Sequence, residues 1–462
     1  HFQLSPDDFA LINPNTRTCP VFRSKRDAEL TRKFYCRAPV LIQEASNQNP
    51  WGISFQAMFH MSNDSDLFHG LDELRAQGGY LNGNHFLWDE SRYLPLYEAK
   101  MVHHYDHRFA TYDIDGKLIR DATQAEQANP DFAPLPRYWV NEWEVVLRTA
   151  DVPSDLLKGL KKEDANKLEK ALRTWLAGLL LVRGDTDHAS RLLGQQVVKQ
   201  GSTASLFDQA QQTHAALTAR KLAETHPMPD EQLDQWLVRF EGSEDRFALV
   251  EELLPRRCPN NLIGFRLVCR ATDERTLIGG VFPFSSVGNS LPVAGFPFST
   301  NARLLAAFQA NLSSLPTDFV TRNKIGGINL NFFIVKQLPM LPPRAYGEEA
   351  LDYIVPRVLE LTYTSHDLAP FARDLGYEGP PFGWNPERRH QLRCELDAYY
   401  AHLYGLTRDE LRYILDPADV MGPDYPSVTF PGLKRKEMAE HGEYLTQRRV
   451  LEAFDALTEA RK

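Results

Sequence analysis

The chain has 462 residues, of which 43% are hydrophobic and 24% are charged, a composition typical of a soluble globular protein. A single hydrophobic core stops growing at roughly 250–300 residues, so this length predicts more than one domain. No apolar run approaches the ~20 residues that span a bilayer, which argues against membrane insertion. The formal net charge of −9 excludes a wholly basic coat for nucleic acid, although one local basic cleft remains compatible with it.

The cysteines favour a reducing compartment. All five are scattered without CxxC spacing, which indicates neither a zinc site nor a disulfide framework. No charged segment followed by an apolar run and a cleavage site opens the chain, so we expect no signal peptide and a cytoplasmic location. The first residue is His1 rather than Met, and we therefore expect a fragment of a longer protein.

The N-terminal part is predicted to alternate between strands and helices. Residues 7–45 have the pattern of two strands around a helix that Ser24 caps. A strand follows Trp51, and a helix is expected after a cap within residues 62–65.

The middle of the chain changes from strand to helix. Strands are expected over residues 78–120 and at Trp139–Leu147, with turn signals such as Asn82-Gly83 between them. Leucines then recur at helical spacing across residues 154–250, which predicts a helical segment.

The last part returns to strands and ends in helices. Two strands are expected within Gly264–Phe284, followed by an amphipathic helix that Pro316 ends or kinks. Residues 324–339 are predicted as a strand, and residues 348–462 as mainly helical. We therefore predict an α+β protein. Its predicted parts are a β-rich domain (1–150 with 255–345), a helical insertion (151–254) and a helical C-terminal domain (346–462).

The stretch Tyr93–Tyr112 is locally basic and aromatic, in contrast to the acidic chain. Its cations and imidazoles are Lys100, His103, His104, His107 and Arg108. Lysine, arginine and imidazole nitrogens can donate hydrogen bonds to phosphate, and the neighbouring tyrosines offer stacking. We predict DNA contacts at Lys100, His103, His104 and Arg108.

A second stretch, Thr321–Pro343, carries Lys324 and Lys336 around Gly326-Gly327. On a strand, Asn329 and Asn331 share one face and can read adenine edges bidentately. Capping of the turn is the alternative for both amides. We predict that these two lysines and two asparagines complete the DNA-binding surface.

The sequence was also searched for nuclease, metal-binding and catalytic motifs. Glu98 and Lys100 have the spacing of a metal-dependent nuclease, with Asp89 or Glu90 as an upstream acid. Glu-x-Lys is nevertheless a common pattern. The histidines could bind a metal, but no distant third ligand is evident, so no metal site is assigned. The chain has no F-x-G-x-G, Asn-Pro-Pro-Tyr, Walker A, GxSxG or HExxH motif, and no catalytic residue is assigned.

Five blocks, in order, resemble the C-terminal half of bacterial type IIG-like N6-adenine DNA methyltransferases of restriction-modification or DISARM-type phage-defence systems. The blocks are FALINPNTRTCPVFRSKRDAELTRKFYCRAPVLI, WGISFQAMFHMSNDSDLF, LPLYEAKMVHHYDHRFATY, NKIGGINLNFFIVKQLPMLPP and LYGLTRDELRYILDP. The resemblance covers nearly the whole chain. It implies a target recognition region whose partners are duplex DNA, an N-terminal methyltransferase domain and other defence-system subunits. It also implies that S-adenosylmethionine is bound by that N-terminal domain and by no residue of this chain.

Two alternatives of other classes stay open. One is a metal-dependent nuclease that uses Glu98 and Lys100. The other is a protein-interaction scaffold in a phage-defence complex, which the net charge of −9 and the helical segments would suit.

Overall fold

The chain forms two compact units. A computed structural model describes residues 3–20, 22–194, 206–425 and 428–461. The first unit comprises His1–Glu142, Asn260–Phe296 and Asn301–Lys462, and the second comprises Trp143–Pro259 with Pro297–Thr300. Helices combined with small, mainly antiparallel sheets confirm the predicted α+β class.

The described part of residues 1–141 contains four α-helices and seven strands. They are α1 (Pro6–Ile12), α2 (Lys25–Arg37), β1 (Ser54–Gln56), α3 (Leu71–Ala76), β2 (Tyr80–Asn82), β3 (His85–Trp88), β4 (Ser91–Tyr97), β5 (Ala110–Tyr112), β6 (Ile119–Asp121), α4 (Gln124–Ala128) and β7 (Trp139–Asn141). Ser24 caps α2 as predicted, since its side chain accepts a hydrogen bond from Asp27 N at 3.0 Å.

Four local predictions in this part are wrong. The second strand expected within residues 7–45 does not form in the described chain, where Val40 and Gln43 make only isolated bridges. Residues 7–12 form α1 instead of a strand, because Ser5 and Asp8 make a capping box with a proline in the first turn. Helix α3 begins after Gly70 and not after a cap within residues 62–65. The strand predicted at Trp139–Leu147 ends at Asn141, where helix α5 (Glu142–Thr149) begins.

The second unit is helical, as residues 154–250 were predicted to be. After most of α5 it contains α6 (Ser154–Lys161), α7 (Ala165–Arg183), α8 (Thr186–Leu193), α9 (Leu206–Thr225), α10 (Asp230–Gly242) and α11 (Arg246–Leu253). A Cβ at Gly178 of α7 would lie 1.9 Å from the carbonyl oxygen of Ala219 on α9. These two helices therefore approach each other closely at a position that only glycine permits.

In the remainder of the first unit, the residues that the structure describes form four strands and ten α-helices. They are β8 (Asn261–Phe265), β9 (Gly279–Pro283), β10 (Ser286–Val287), β11 (Val293–Gly295), α12 (Ala302–Ser313), α13 (Leu315–Lys324), α14 (Phe332–Val335), α15 (Glu348–Thr362), α16 (Ala369–Asp374), α17 (Pro386–Leu403), α18 (Arg408–Leu415), α19 (Pro417–Met421), α20 (Pro431–His441) and α21 (Leu445–Ala460).

Pro316 acts as predicted, because the helix breaks at Ser314 and Pro316 lies in the first turn of α13. The strand predicted over residues 324–339 is wrong. Asn329 makes only a single backbone bridge, to Val268, and α14 follows it. Glycine weakens a strand because it has no side chain to pack, and Gly326-Gly327 is exposed here.

Two small sheets organise the first unit. One has the order β1–β11–β8–β9 and is antiparallel throughout. The other has the order β2–β3–β4–β10, and β7 also pairs with β4. Strand β4 therefore has neighbours on both edges. The sheet places the beginning of the Tyr93–Tyr112 stretch in the interior, with Leu94, Leu96 and Tyr97 fully buried.

One hydrophobic core joins the β-rich part of this unit to its C-terminal helices. The core includes Phe34 of α2, Phe265 of β8 and Phe319 of α13, together with Ile354 of α15 and Tyr400 of α17. Residues 346–462 thus share a core with the preceding residues. Among the helices that the structure describes, none combines the length and apolar character that crossing a membrane requires.

Candidate nucleic-acid interface

Arg108 lies inside the first unit and not on its surface. Its side chain is fully buried, and the guanidinium donates hydrogen bonds to the carbonyl oxygens of Asn129 (2.7 Å), Gln127 (2.8 Å) and Thr364 (3.1 Å). These acceptors come from two distant segments, so Arg108 ties them together. The predicted phosphate contact at Arg108 is wrong, because its donors point into the protein.

His107 is also buried, and its Nε2 faces the carboxylate of Asp367 at 3.0 and 2.9 Å. Ser365 Oγ approaches the same nitrogen at 3.3 Å and donates to Asp367. A Ser-His-Asp relay needs the hydroxyl and the carboxylate on opposite ring nitrogens. The three groups therefore do not form a nucleophilic triad, and they connect residues 106–108 to residues 364–367.

His104 is withdrawn from solvent, with only 3% of its surface exposed, whereas His103 is half-buried. Burial first, and then the positive charges of Arg266 and Arg393, hold the pKa of His103 well below its usual value. Burial and the charge of Arg275 do the same to the pKa of His104. A neutral, buried imidazole cannot reach a DNA phosphate, so the prediction for His104 is wrong; His103 keeps partial access.

Lys100 is exposed on a short turn, Ala99–Met101, that follows β4. No ion pair within the described chain engages its ammonium group. Glu98 accepts a hydrogen bond from the Tyr112 hydroxyl at 2.9 Å. Glu98 and Lys100 thus do not lie on a strand, which removes the geometry that the nuclease interpretation required. Within the described ranges, no three His, Cys, Asp or Glu side chains are grouped as metal ligands.

The ammonium group of Lys324 is engaged by hydrogen bonds within the first unit. Its Nζ donates to the carbonyl oxygen of Ile12 at 2.7 Å and to Asn13 Oδ1 at 2.5 Å, and it lies 5.1 Å from the centre of the Tyr35 ring. Burial lowers the pKa of Lys324 to about 7. The predicted phosphate contact is wrong here too, because Lys324 fastens α13 to the end of α1.

Lys336 remains at the surface beside Glu44, with its Nζ 2.7 Å from the carboxylate. Such exposed pairs contribute only about 0–1 kcal/mol. Lys336 can therefore exchange Glu44 for a stronger anion.

Asn329 and Asn331 are exposed on a well-anchored segment. The backbone is held by Cys269 N donating to Ile328 O at 3.0 Å and by Leu330 N donating to Leu267 O at 2.7 Å. Asn331 precedes α14, but its side chain makes no capping hydrogen bond to that helix. Nor is the Asn329 amide engaged by any other described residue. The fold does not use these two side chains.

A surface pocket escaped the sequence analysis. It is lined by Gly70–Glu73, Ile114–Lys117 and Pro136–Trp139. Within it the guanidinium of Arg137 lies 5.1 Å from the centre of the Tyr138 ring, which stacks on Phe68 at 5.9 Å. The adjacent Arg137-Tyr138 pair after a proline-containing loop was the available signal. Arg137 and Lys117 add exposed cations to this part of the first unit.

The chain was compared with family models, curated proteins and solved structures. No family model, curated protein or solved structure matches the chain. Of the predicted contacts, Lys100, Asn329, Asn331 and Lys336 lie at the surface, His103 and Lys324 are half-buried, and His104 and Arg108 are buried.

Proposed function

We propose that this chain is the DNA-binding target recognition region of an N6-adenine DNA methyltransferase. It would position a target adenine for a catalytic domain that these residues do not supply. The order and extent of the five sequence blocks support this proposal. The observation that carries it is the pair of unused, exposed amides at Asn329 and Asn331 on an anchored backbone.

An amide side chain pairs bidentately with the major-groove edge of adenine, and each such pair discriminates against a wrong base by about 1–3 kcal/mol. Base reading requires that the amide be accessible and that its backbone be held in place. The segment Ile328–Asn331 has both properties. The Asn331 side chain is also not engaged in capping α14.

Phosphate contacts would come from the exposed cations. Lys100 and Lys336, with Arg137 and Lys117, provide charge at the surface of a protein that is acidic as a whole. A few such contacts would give salt-dependent affinity, while the amides would give sequence choice.

The methyl donor would lie elsewhere in the enzyme. This chain lacks the glycine-rich motif that holds S-adenosylmethionine, and the aromatic loop that holds a flipped adenine. We therefore assign no step of methyl transfer to its residues. The residues of this chain would bind duplex DNA and fix its position relative to the catalytic domain.

The experiment is a binding selection from a random duplex library, performed with the wild-type chain and with the double variant Asn329→Ala/Asn331→Ala. The wild-type chain should enrich a motif that contains adenine, and the double variant should bind DNA but lose preference at one or two positions. Asn166→Ala is the matched control, since Asn166 is an exposed amide on α7 of the second unit. Absence of duplex binding by the wild-type chain, even at low salt, would refute the proposal.

A scaffold function has one observation in its favour. Val268, Ile328 and Phe333 each expose more than half of their apolar surface around the same anchored segment, and exposed apolar side chains are common at protein interfaces. If duplex DNA does not bind, then charge substitutions at Ile328 and Phe333 should weaken association with the methyltransferase domain, as measured by co-purification of the two defined partners.

A further inference from the structure

Three nitrogen-bearing side chains lie close together: Arg266 and His103 lie against Phe109, and His104 lies against His103. Arg266 Nε donates to the carbonyl oxygen of Val102 at 2.8 Å, and its guanidinium lies 5.4 Å from the centre of the Phe109 ring. The His103 ring lies 4.8 Å from the same Phe109 ring and 5.2 Å from the His104 ring. Arg266, the residue that follows strand β8, thus meets the turn that carries His103.

The cluster contains donors that the protein itself does not satisfy. Neither ring nitrogen of His104 has a hydrogen-bond partner in the described part of the chain, although the residue is 3% exposed. Arg266 Nη2 is likewise buried without a partner among the described residues. Buried polar atoms in folded proteins are nearly always bonded to protein, water or a ligand.

The surrounding charge is predominantly positive. Arg275 and Arg393 act electrostatically on both imidazoles, and Lys436 acts on His103. Arg275 is paired with Asp318, and Lys436 is paired with Glu274. No hydrogen bond or ion pair joins Arg393 to another residue of the described ranges. Asp121 and Asp273 are the acids that act on Arg266.

We propose that His103, His104 and Arg266 form a binding site for a small tetrahedral oxyanion of the phosphate or sulfate class. Arginine and imidazole N–H groups are the usual donors to such anions. The half-buried His103 and Arg266 give access, while the buried His104 provides a donor that bulk water does not reach. This site is independent of the DNA-binding proposal.

Anion binding should be linked to proton uptake. Both imidazoles are neutral without the anion, since burial and the neighbouring arginines oppose their charge. A bound anion reverses the sign of the local field and favours the protonated rings. Sulfate affinity should therefore increase as pH falls from 8 to 6, because sulfate stays a dianion there whereas phosphate takes up a proton of its own. The charges of Arg266, Arg275, Arg393 and Lys436 do not change in this range.

The test is isothermal titration of the full chain with inorganic phosphate and with sulfate, alongside thermal unfolding in phosphate and in sodium chloride of equal ionic strength. The wild-type chain should bind the oxyanions, and its melting temperature should rise more in phosphate over chloride than that of His104→Leu, since excluded phosphate also stabilises folds without a site. His104→Leu removes an unpaired buried polar group and should fold, because an apolar side chain of similar size is tolerated there. We expect it to bind phosphate about tenfold more weakly or worse, the loss typical of one charge-assisted hydrogen bond.

His103→Gln provides a second variant at a less buried position, and it should also weaken phosphate binding. His214→Leu, an exposed histidine of α9 in the second unit, is the matched control and should bind like the wild type. Equal melting temperatures in phosphate and chloride, or wild-type affinity in His104→Leu, would overturn the proposal. A stabilisation that depends on His104 but is produced only by a duplex oligonucleotide would also overturn it, because the ligand would then be a DNA backbone phosphate.

Discussion

His107 and Asp367 are joined inside the first unit, with His107 Nε2 at 3.0 and 2.9 Å from the two carboxylate oxygens. Burial opposes ionisation of Asp367, but the charge and hydrogen bond of His107, the hydrogen bond of Ser365 and the charge of Arg108 together outweigh it, so the pKa of Asp367 lies below its usual value. The pair holds the turn before β5 against the short helical turn His366–Leu368. Residues 106–108 of the basic, aromatic stretch therefore connect two segments inside the unit, whereas Lys100 of the same stretch stays at the surface.

The first prediction concerns this pair. His107→Leu should destabilise the chain by about 1–3 kcal/mol, because the half-buried Asp367 carboxylate loses the imidazole and keeps only the hydroxyl of Ser365. The double variant His107→Leu/Asp367→Asn should lose less than the sum of the single variants. Urea unfolding of the four proteins of this cycle measures the coupling. The exposed pair Lys158–Asp155 is the control and should give a coupling of about 1 kcal/mol or less. Additive losses at His107 and Asp367 would contradict the assignment.

The second prediction separates Lys100 from Arg108. Lys100→Ala should weaken duplex binding for all sequences and reduce the salt slope by about one, as expected for a lost phosphate contact. Arg108→Met should instead lower the urea midpoint, because the carbonyl oxygens of Asn129, Gln127 and Thr364 lose their donor. Its folded fraction should bind DNA like the wild type. Fluorescence anisotropy at several salt concentrations tests both variants, and a lower salt slope for folded Arg108→Met would refute the buried role.

Sequence signals that act over a few residues predicted much of the secondary structure. They did not predict which candidate DNA-binding side chains are buried. The Ser24 cap and the leucine periodicity of α7 act within a few residues, so both were predictable. Arg108 could not be placed, because its acceptors lie about 20 and 256 residues away, and cations among aromatic residues suit a buried polar joint as well as a DNA surface. Asn329 and Asn331 were found as candidates by residue type, although the strand that was to present them does not form.

The third prediction is a pH dependence that originates at Lys324. Burial lowers the pKa of Lys324 from its usual 10.5 to about 7. Between these values the unfolded chain holds a proton that the folded chain has released, so unfolding takes up protons and stability rises with pH. The urea midpoint should therefore increase from pH 7 to pH 9. Lys324→Met should flatten this rise, although it also loses the bonds to Ile12 and Asn13. An equally steep rise in the variant would assign the titration to another group.

The last prediction concerns the approach of α7 to α9 in the second unit. Gly178→Ala places a methyl group 1.9 Å from the Ala219 carbonyl oxygen, so the two helices must move apart or deform. Overpacking of this kind costs about 1–3 kcal/mol, which should exceed the gain in helix propensity from alanine. Gly242→Ala at the end of α10 is the matched control, since a Cβ there meets nothing within 4 Å, and it should be neutral or slightly stabilising. Differential scanning calorimetry compares the two variants. A melting temperature for Gly178→Ala equal to that of Gly242→Ala would show that α7 and α9 do not pack at this distance in solution.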